Sequence, residues 1–274
     1  MKKDQFALLF QNKMIGLFLG DTDFSEIVLK KIIKLNKKYF IIDFSKKNKF
    51  KKNKNCNRIN IGKFGEIISL IKKYKSKEVL FAGKIAKPKF SSLRLDFKGI
   101  YYMPSIIKAA KSGDAAIIKA IIKILEKENI KVIPSNFFNP ELSLKAGNYT
   151  KLKTTPEDIK SIEQGLLYFN QLNSLDHVQA LIIKKNRVIA TEGNQGTKNM
   201  LLKLKNGSGG ILIKFPKKKQ DLRMDLPTIG LNTLKDCKKC GLKGIVLKSK
   251  KNIFLDRIKS INFANKNKIF IKII

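Results

Sequence analysis

Histidine, cysteine, arginine and acidic side chains are all scarce in this 274-residue chain, and each scarcity excludes something. One histidine, His177, cannot build a histidine-rich metal site, and a lone polar histidine leading into a strand reads as structural. Three cysteines make no disulfide framework. Cys237 and Cys240 form a CxxC, but no second pair or histidine cluster completes a zinc site. The pair also falls at the end of a predicted helix, not at the strand-to-helix turn of a redox motif. No apolar run reaches the roughly 18 residues of a membrane-spanning helix. The lysine-led N-terminus is broken by Gln11, Asn12 and Lys13 and lacks a small-residue cleavage site, so a cytoplasmic protein is expected.

What is abundant is lysine. Lys and Arg number 58 against 21 Asp and Glu, a formal charge of +37. Such a balance suits nucleic acid or an anionic membrane surface. Only five of the basic residues are arginines, however, and arginine is the side chain that reads phosphates and base edges best. Lys, Asn, Ile and Phe together are what AT-rich codons encode, so much of the charge reads as compositional bias. No nucleic-acid partner is expected, and the arginines that persist, Arg94 and Arg223 among them, attract attention.

The first half alternates strands, at 6–10, 39–44, 58–61, 78–83 and 131–135, with helical periodicity at 23–36, 65–76 and 114–129. This predicts an α/β fold whose N-terminal Rossmann-like domain, 1–138, has a parallel sheet. Asp114 follows Gly113 as a predicted N-cap. No GxGxxG follows the first strand, so a dinucleotide is not indicated. Turn formers at 139–155 predict a linker. Thr155, Pro156 and Asp158 then open a helix, starting a C-terminal α/β domain with a mixed sheet over 156–274. In it, strands at 178–184 and 187–193 form a hairpin and another runs through 209–216. A helix covers 229–240, and "GIVLKS" and "NIFLD" read as a second hairpin-like pair. A helix at 256–266 and a final strand close the chain.

The stretch "KKKQDLRMDLPTIG", 217–230, places Asp221 and Asp225 around Arg223, directly after a strand and a lysine run. Loop carboxylates of this kind can hold a hard cation such as Mg²⁺, adjacent Lys and Arg can hold phosphate oxygens, and a helix N-terminus adds donors. These are the parts of phosphoryl chemistry. The alternative is that the two aspartates cap turns and pair with surface lysines. In "VIATEGNQGTKNM", 188–200, Glu192 ends a strand before Gly193, Gly196 and Thr197. This is either a ligand loop or a plain turn with Thr197 as cap. "FAGKIAKP", 81–88, puts Gly83 and Lys84 at a strand's carboxyl end, where open α/β sheets bind ligands. "LRLD", 93–96, and "SGDAA", 112–116, follow.

With "IKFPKKKQDLRMDLPTIGLNT" on the page, the chain resembles the UDP-2,3-diacylglucosamine pyrophosphatase family of lipid A biosynthesis. "AGKIAKP", "LRLD", "SGDAA" and "DHVQALIIKKNRVIATEGNQGT" extend the resemblance over most of the chain from about residue 79 onward. It implies a cytoplasmic hydrolase, peripheral to the inner membrane, that needs Mg²⁺ or Mn²⁺. The enzyme would cleave UDP-2,3-diacylglucosamine to UMP and 2,3-diacylglucosamine 1-phosphate, lipid X, bound between two domains. A homodimer is compatible with it. The family's acidic residue in the DLP turn falls on Asp225, the expected catalytic residue, and Asp221, Asp225 and Glu192 are the expected metal ligands. Gly83, Lys84, Arg94, Asp114, Gln179, Thr197, Lys214, Gln220, Arg223 and Thr228 are expected on the substrate. Three departures stand out. The strand at 6–10 leads into "QNKMIGLF" rather than a glycine-rich loop, Val178 replaces a glycine two residues after Asp176, and Gln195 and Lys198 replace two acidic residues. The other readings are a cationic nucleic-acid or membrane-surface binding protein, or an inactive homologue that binds the lipid without turnover.

Overall fold

The structure, a computed structural model, describes residues 13–172, 178–193, 195–218 and 220–274. The chain divides into two compact units, with the division between Asn139 and Pro140. Asp176 and His177 lie outside the described residues, as does the strand expected at 6–10.

The first unit is a five-stranded parallel sheet in the order β3-β2-β1-β4-β5. Its strands are β1 (Ile15–Leu19), β2 (Tyr39–Asp43), β3 (Cys56–Asn57), β4 (Glu78–Ala82) and β5 (Lys131–Ile133). The helices are α1 (Asp23–Lys34), α2 (Phe64–Lys73), α3 (Phe97–Ala110) and α4 (Asp114–Lys127). Every residue of β1 and β4 is buried, and apart from Glu78 at the start of β4 both read as apolar runs. Winding reverses between β1 and β4, the two central neighbours, in register from Ile15↔Glu78 to Leu19↔Ala82.

Two local expectations are corrected here. Among the described residues the first strand of the sheet is 15–19, followed by the loop Gly20-Asp21-Thr22. The strand expected at 58–61 is only Cys56–Asn57. Arg58 instead donates through Nη1 to the Asp43 and Ser45 carbonyls, at 2.8 and 2.5 Å, and its side chain closes the loop that follows β2. Asp114 is the first residue of α4 while Gly113 caps it, and the Asp114 carboxylate turns outward to Lys87 at 3.1 Å. Helix α3 was not anticipated at all. It is apolar on both faces, so no amphipathic period marks it.

The second unit has a six-stranded mixed sheet, β6-β13-β11-β9-β7-β8, and a parallel pair, β10-β12. The strands are β6 (Gly147–Asn148), β7 (Ala180–Lys184), β8 (Arg187–Thr191), β9 (Ile211–Lys214), β10 (Thr228–Ile229), β11 (Gly244–Leu247), β12 (Ile253–Phe254) and β13 (Phe270–Ile273). The helices are α5 (Pro156–Leu172), α6 (Gly196–Leu202), α7 (Leu231–Lys239) and α8 (Arg257–Lys266). Alternate strand residues supply two cores. Ile182, Leu212, Ile245 and Ile271 pack with Leu234, Cys237 and Ala264, whereas Ile183, Ile213, Val246 and Phe270 pack with Ile162 and Phe169.

Thr155 caps α5 as expected, in a reciprocal pair: the Asp158 amide donates to Thr155 Oγ1 at 3.2 Å and the Thr155 amide to Asp158 Oδ2 at 2.9 Å. Part of the stretch read as a linker is built into this unit, since Asn148 pairs with Lys272 and Leu144 is buried in the core. "GIVLKS" and "NIFLD" are not a hairpin. β11 lies between β9 and β13 in the main sheet, and β12 pairs in parallel with β10. Between them, buried Asn252 ties the turn to the Leu144 and Lys248 carbonyls.

Candidate functional site

β7 sets the geometry of the site in the second unit, because it is flanked by β9 on one side and β8 on the other. Ala180 opens β7. Lys214, the last residue of β9, is its partner across one ladder. On the other side the Glu192 amide donates to the Ala180 carbonyl at 2.8 Å. Glu192 and Lys214 thus stand either side of one small residue. At the usual strand spacing of ~4.8 Å their backbones are about 10 Å apart, and both side chains reach in over Ala180.

Both side chains are buried. Burial lowers the Lys214 pKa from the ordinary lysine value, with Glu192 and Asp225 opposing the shift. Burial raises Glu192, opposed by the charge of Lys214 and by Thr197. Thr197 Oγ1 donates to Glu192 Oε2 at 2.9 Å, so Thr197 serves that carboxylate and not a helix cap. The Lys214 ammonium is 3.3 Å from the Thr228 carbonyl. Burying a lysine is costly without compensation, and one long contact to a carbonyl compensates little.

The loop after β9 closes over this pair. Gln220 Oε1 accepts from the Lys217 amide at 2.8 Å and from Gln179 Nε2 at 3.0 Å. The backbone donor fixes which end of the amide is oxygen. Gln220 Nε2 is therefore turned the other way, buried and with no acceptor among the described residues. Asp221 then starts a single helical turn, its carbonyl accepting from the Met224 and Asp225 amides at 3.2 and 3.1 Å. Its carboxylate grips Arg223, with Oδ1 accepting from the amide and Nε, each at 3.0 Å, and Oδ2 from Nη2 at 2.8 Å. Buried Leu226 and Pro227 follow the turn, and Asp225 is half-buried. Thr228 lies in β10. Its hydroxyl donates to the Leu226 carbonyl at 3.1 Å, and Gly230 caps α7.

The structure thus brings together Gln179, Glu192, Thr197, Lys214, Gln220, Asp221, Arg223, Asp225 and Thr228. Cys237 lies buried in the core beside them, its thiol pushed up by burial, and Cys240 accompanies it in the same core. The CxxC is packing. Among the described residues no group of three His, Cys, Asp or Glu side chains gathers as a metal cluster. An all-oxygen pair such as Glu192 and Asp225 still fits Mg²⁺, which takes one or two carboxylates and fills its shell with water and phosphate oxygens.

Gly83, Lys84, Arg94 and Asp114 belong to the first unit. Gly83 has φ +82° at the end of β4, where an added Cβ would fall 2.0 Å from Ser25 Oγ. That hydroxyl lies 2.9 Å from the carbonyls of both Gly20 and Ala82. Gly20, Asp21 and Ser25 were missed, although a glycine ending the apolar run "IGLFL" was the signal. Lys84 is exposed, and its carbonyl accepts from the Asp21 amide at 2.9 Å. Arg94 is exposed. In its motif the working residue is Asp96, whose carboxylate accepts from the Gly99 amide at 2.7 Å and the Glu66 amide at 2.9 Å, serving the first turns of α3 and α2 at once.

The family description LpxI N-terminal domain matches residues 14–142, and LpxI C-terminal domain matches 145–272. The UDP-2,3-diacylglucosamine pyrophosphatase LpxI of Caulobacter vibrioides is 31% identical over 223 residues, 78% of this chain and 80% of that protein. The chain belongs to the LpxI family. The first matched region ends three residues past the division between Asn139 and Pro140, and the second begins after it.

Proposed function

We propose that this chain hydrolyses the pyrophosphate of UDP-2,3-diacylglucosamine, giving UMP and 2,3-diacylglucosamine 1-phosphate in lipid A synthesis. The observation that carries the reading, beside family membership, is the convergence of the Glu192 and Asp225 charges on buried Lys214. Hydrolysis of a pyrophosphate needs a base for water, a cation against the phosphate oxygens, and donors that hold them. Asp225, on a turn fixed by Pro227, takes the proton of the attacking water as the P–O bond to the leaving phosphate breaks. Gln220 Nε2 and the Lys217 side chain donate to phosphate oxygens. Arg223 either holds Asp221 in place or turns to the pyrophosphate and releases Asp221. Mg²⁺ or Mn²⁺, when bound by Asp225 and Glu192 with Asp221 as the next donor, would neutralise charge developing on the phosphate oxygens.

In the first unit, the loops at the reversal between β1 and β4 offer the place where open α/β sheets bind ligands, with Gly83, Lys84, Arg94 and Asp114 the residues proposed for the nucleotide or sugar. The protein would work from the cytoplasmic side, at the inner-membrane surface where its lipid resides. The test is UMP release from UDP-2,3-diacylglucosamine. Turnover with Mg²⁺ that EDTA abolishes and Mn²⁺ restores is the expected outcome, and full turnover in excess EDTA sinks the metal assignment. Tight binding without UMP release would support an inactive homologue, the reading to which Gln195 and Lys198 point.

A further inference from the structure

We infer that α3 docks the chain on an anionic lipid bilayer, with Phe97, Ile100, Tyr101, Pro104 and Ile107 entering the headgroup layer. The inference deepens the membrane-surface part of the proposed function and rests on it only for the kind of partner. Helix α3 buries Gly99, Met103 and Ile106 against its own unit. The opposite side should be polar in a water-facing helix. Instead Phe97 is 92% exposed, Tyr101 75%, Ile100 59% and Ile107 41%. With exposed Pro104 these positions are spaced i, i+3, i+4, i+7 and i+10, an apolar arc about 120° wide at ~100° per residue. No other helix among the described residues exposes so much aromatic surface.

The charge around the arc selects the occupant. From Lys84 to Lys111 the chain carries Lys84, Lys87, Lys89, Arg94, Lys98, Lys108 and Lys111 against one acid, Asp96. Asp96 is turned inward as a helix cap, and Lys87 and Lys98 are paired with Asp114 and Glu128. An apolar helix face rimmed by cations is the pattern of an interfacial helix on anionic lipid. The other apparent occupant, a second copy, fits poorly. A two-fold contact would set this cationic rim against itself.

The chain has no tryptophan, so Phe97→Trp creates a single fluorescent reporter in the face itself. On adding phosphatidylcholine vesicles that contain phosphatidylglycerol, its emission should shift to the blue and become quenchable by brominated lipid. Vesicles of phosphatidylcholine alone should produce little of either. In co-sedimentation, Phe97→Ser/Tyr101→Ser should lower the bound fraction at least about tenfold. Ile258→Ser, at another exposed apolar residue on α8, should not. Circular dichroism and the thermal midpoint of each variant show that it is folded. If the chain sediments with anionic vesicles while the introduced indole stays water-exposed, α3 is not the docking element and the membrane reading survives. If no variant or wild type sediments at all, the membrane reading fails too. A concentration-dependent dimer abolished by the double substitution would assign the face to self-association and overturn the inference.

Discussion

The carboxylates of the first unit and those around β9 in the second are treated in opposite ways. In the first unit several acids are used up by structure, although buried Glu78 keeps one oxygen without a hydrogen-bond partner among the described residues. Buried Asp43 accepts from the Ser45 and Phe50 amides at 2.8 and 3.3 Å, with Arg58 at 3.5 Å. Asp21 accepts from the Lys46 amide at 2.8 Å, and Asp96 holds two helix starts. At the end of β9, Glu192 has a threonine, Lys214 has a carbonyl and the nearby charges of Glu192 and Asp225, and the Gln220 side-chain nitrogen has no acceptor among the described residues. Buried polar groups are normally satisfied, and those that are not have been left for something else. The first unit has buried unpartnered atoms too, at Glu78, Ser135 and Asn139, but they are scattered; what sets the second unit apart is that buried Lys214, buried Glu192 and the Gln220 nitrogen lie on one loop and its neighbouring strands.

This contrast makes a divided set of expectations: substitutions in the second unit's loop should cost rate, and those at packed or hydrogen-bonded structural positions of the first unit should cost stability. The largest effect is expected for Asp225→Asn. The side chain keeps its shape and loses its charge, so the melting midpoint should stay near wild type. The rate of UMP release should fall about a thousandfold or more, ~4 kcal/mol of transition-state stabilisation. A folded variant retaining more than about a tenth of the rate, a loss under ~1.4 kcal/mol, would break the comparison at its main point.

Next in size is Gly83→Ala. A methyl there would overlap Ser25 Oγ at 2.0 Å and force a left-handed conformation on a residue that avoids it. Strain and overpacking, each ~1–3 kcal/mol, should together cost about 3 kcal/mol, read as a lower urea midpoint. Adding Ser25→Ala removes the clashing oxygen and should recover part of that loss. Simple additivity of the two substitutions would show that the clash is relieved some other way.

What the sequence disclosed follows from where each signal is local. The buried strands β2, β4 and β9 announce themselves as apolar runs, and the Thr155–Asp158 cap is written within four residues. The run "IGLFL" at 15–19 carries no more strand signal than its neighbours, and only pairing with β2 and β4 reveals it as the central strand. Two neighbouring strand-like segments suggest a hairpin, and no nearest-neighbour rule sends β12 to β10 instead. Asp221, Asp225 and Glu192 were legible as residue types. Their surroundings were not, because Glu192 and Lys214 meet only through the placement of β7 between their strands. Nor could composition reveal that Arg223 grips Asp221, since an ion pair and a phosphate ligand call for the same side chain.

The smallest effect concerns Glu128, just beyond α4, and it sharpens the stability side of the comparison. Its carboxylate takes Lys72 at 2.8 Å, Lys98, and the Tyr102 hydroxyl at 3.0 Å. Bonds from Lys72 and Lys98 outweigh its burial and hold its pKa down from 4.5 to about 2. A folded-state value below the unfolded one means the unfolded chain takes up the proton first as pH falls. The stabilisation is therefore complete above pH ~4.5 and is lost between there and about 2. Glu128→Gln should lower the urea midpoint at neutral pH, and the gap from wild type should close as the pH is brought through that window. The rate of UMP release per folded molecule at neutral pH should be unchanged. A gap that persists at the acid end would mean that Glu128 contributes by packing its side chain rather than by its charge.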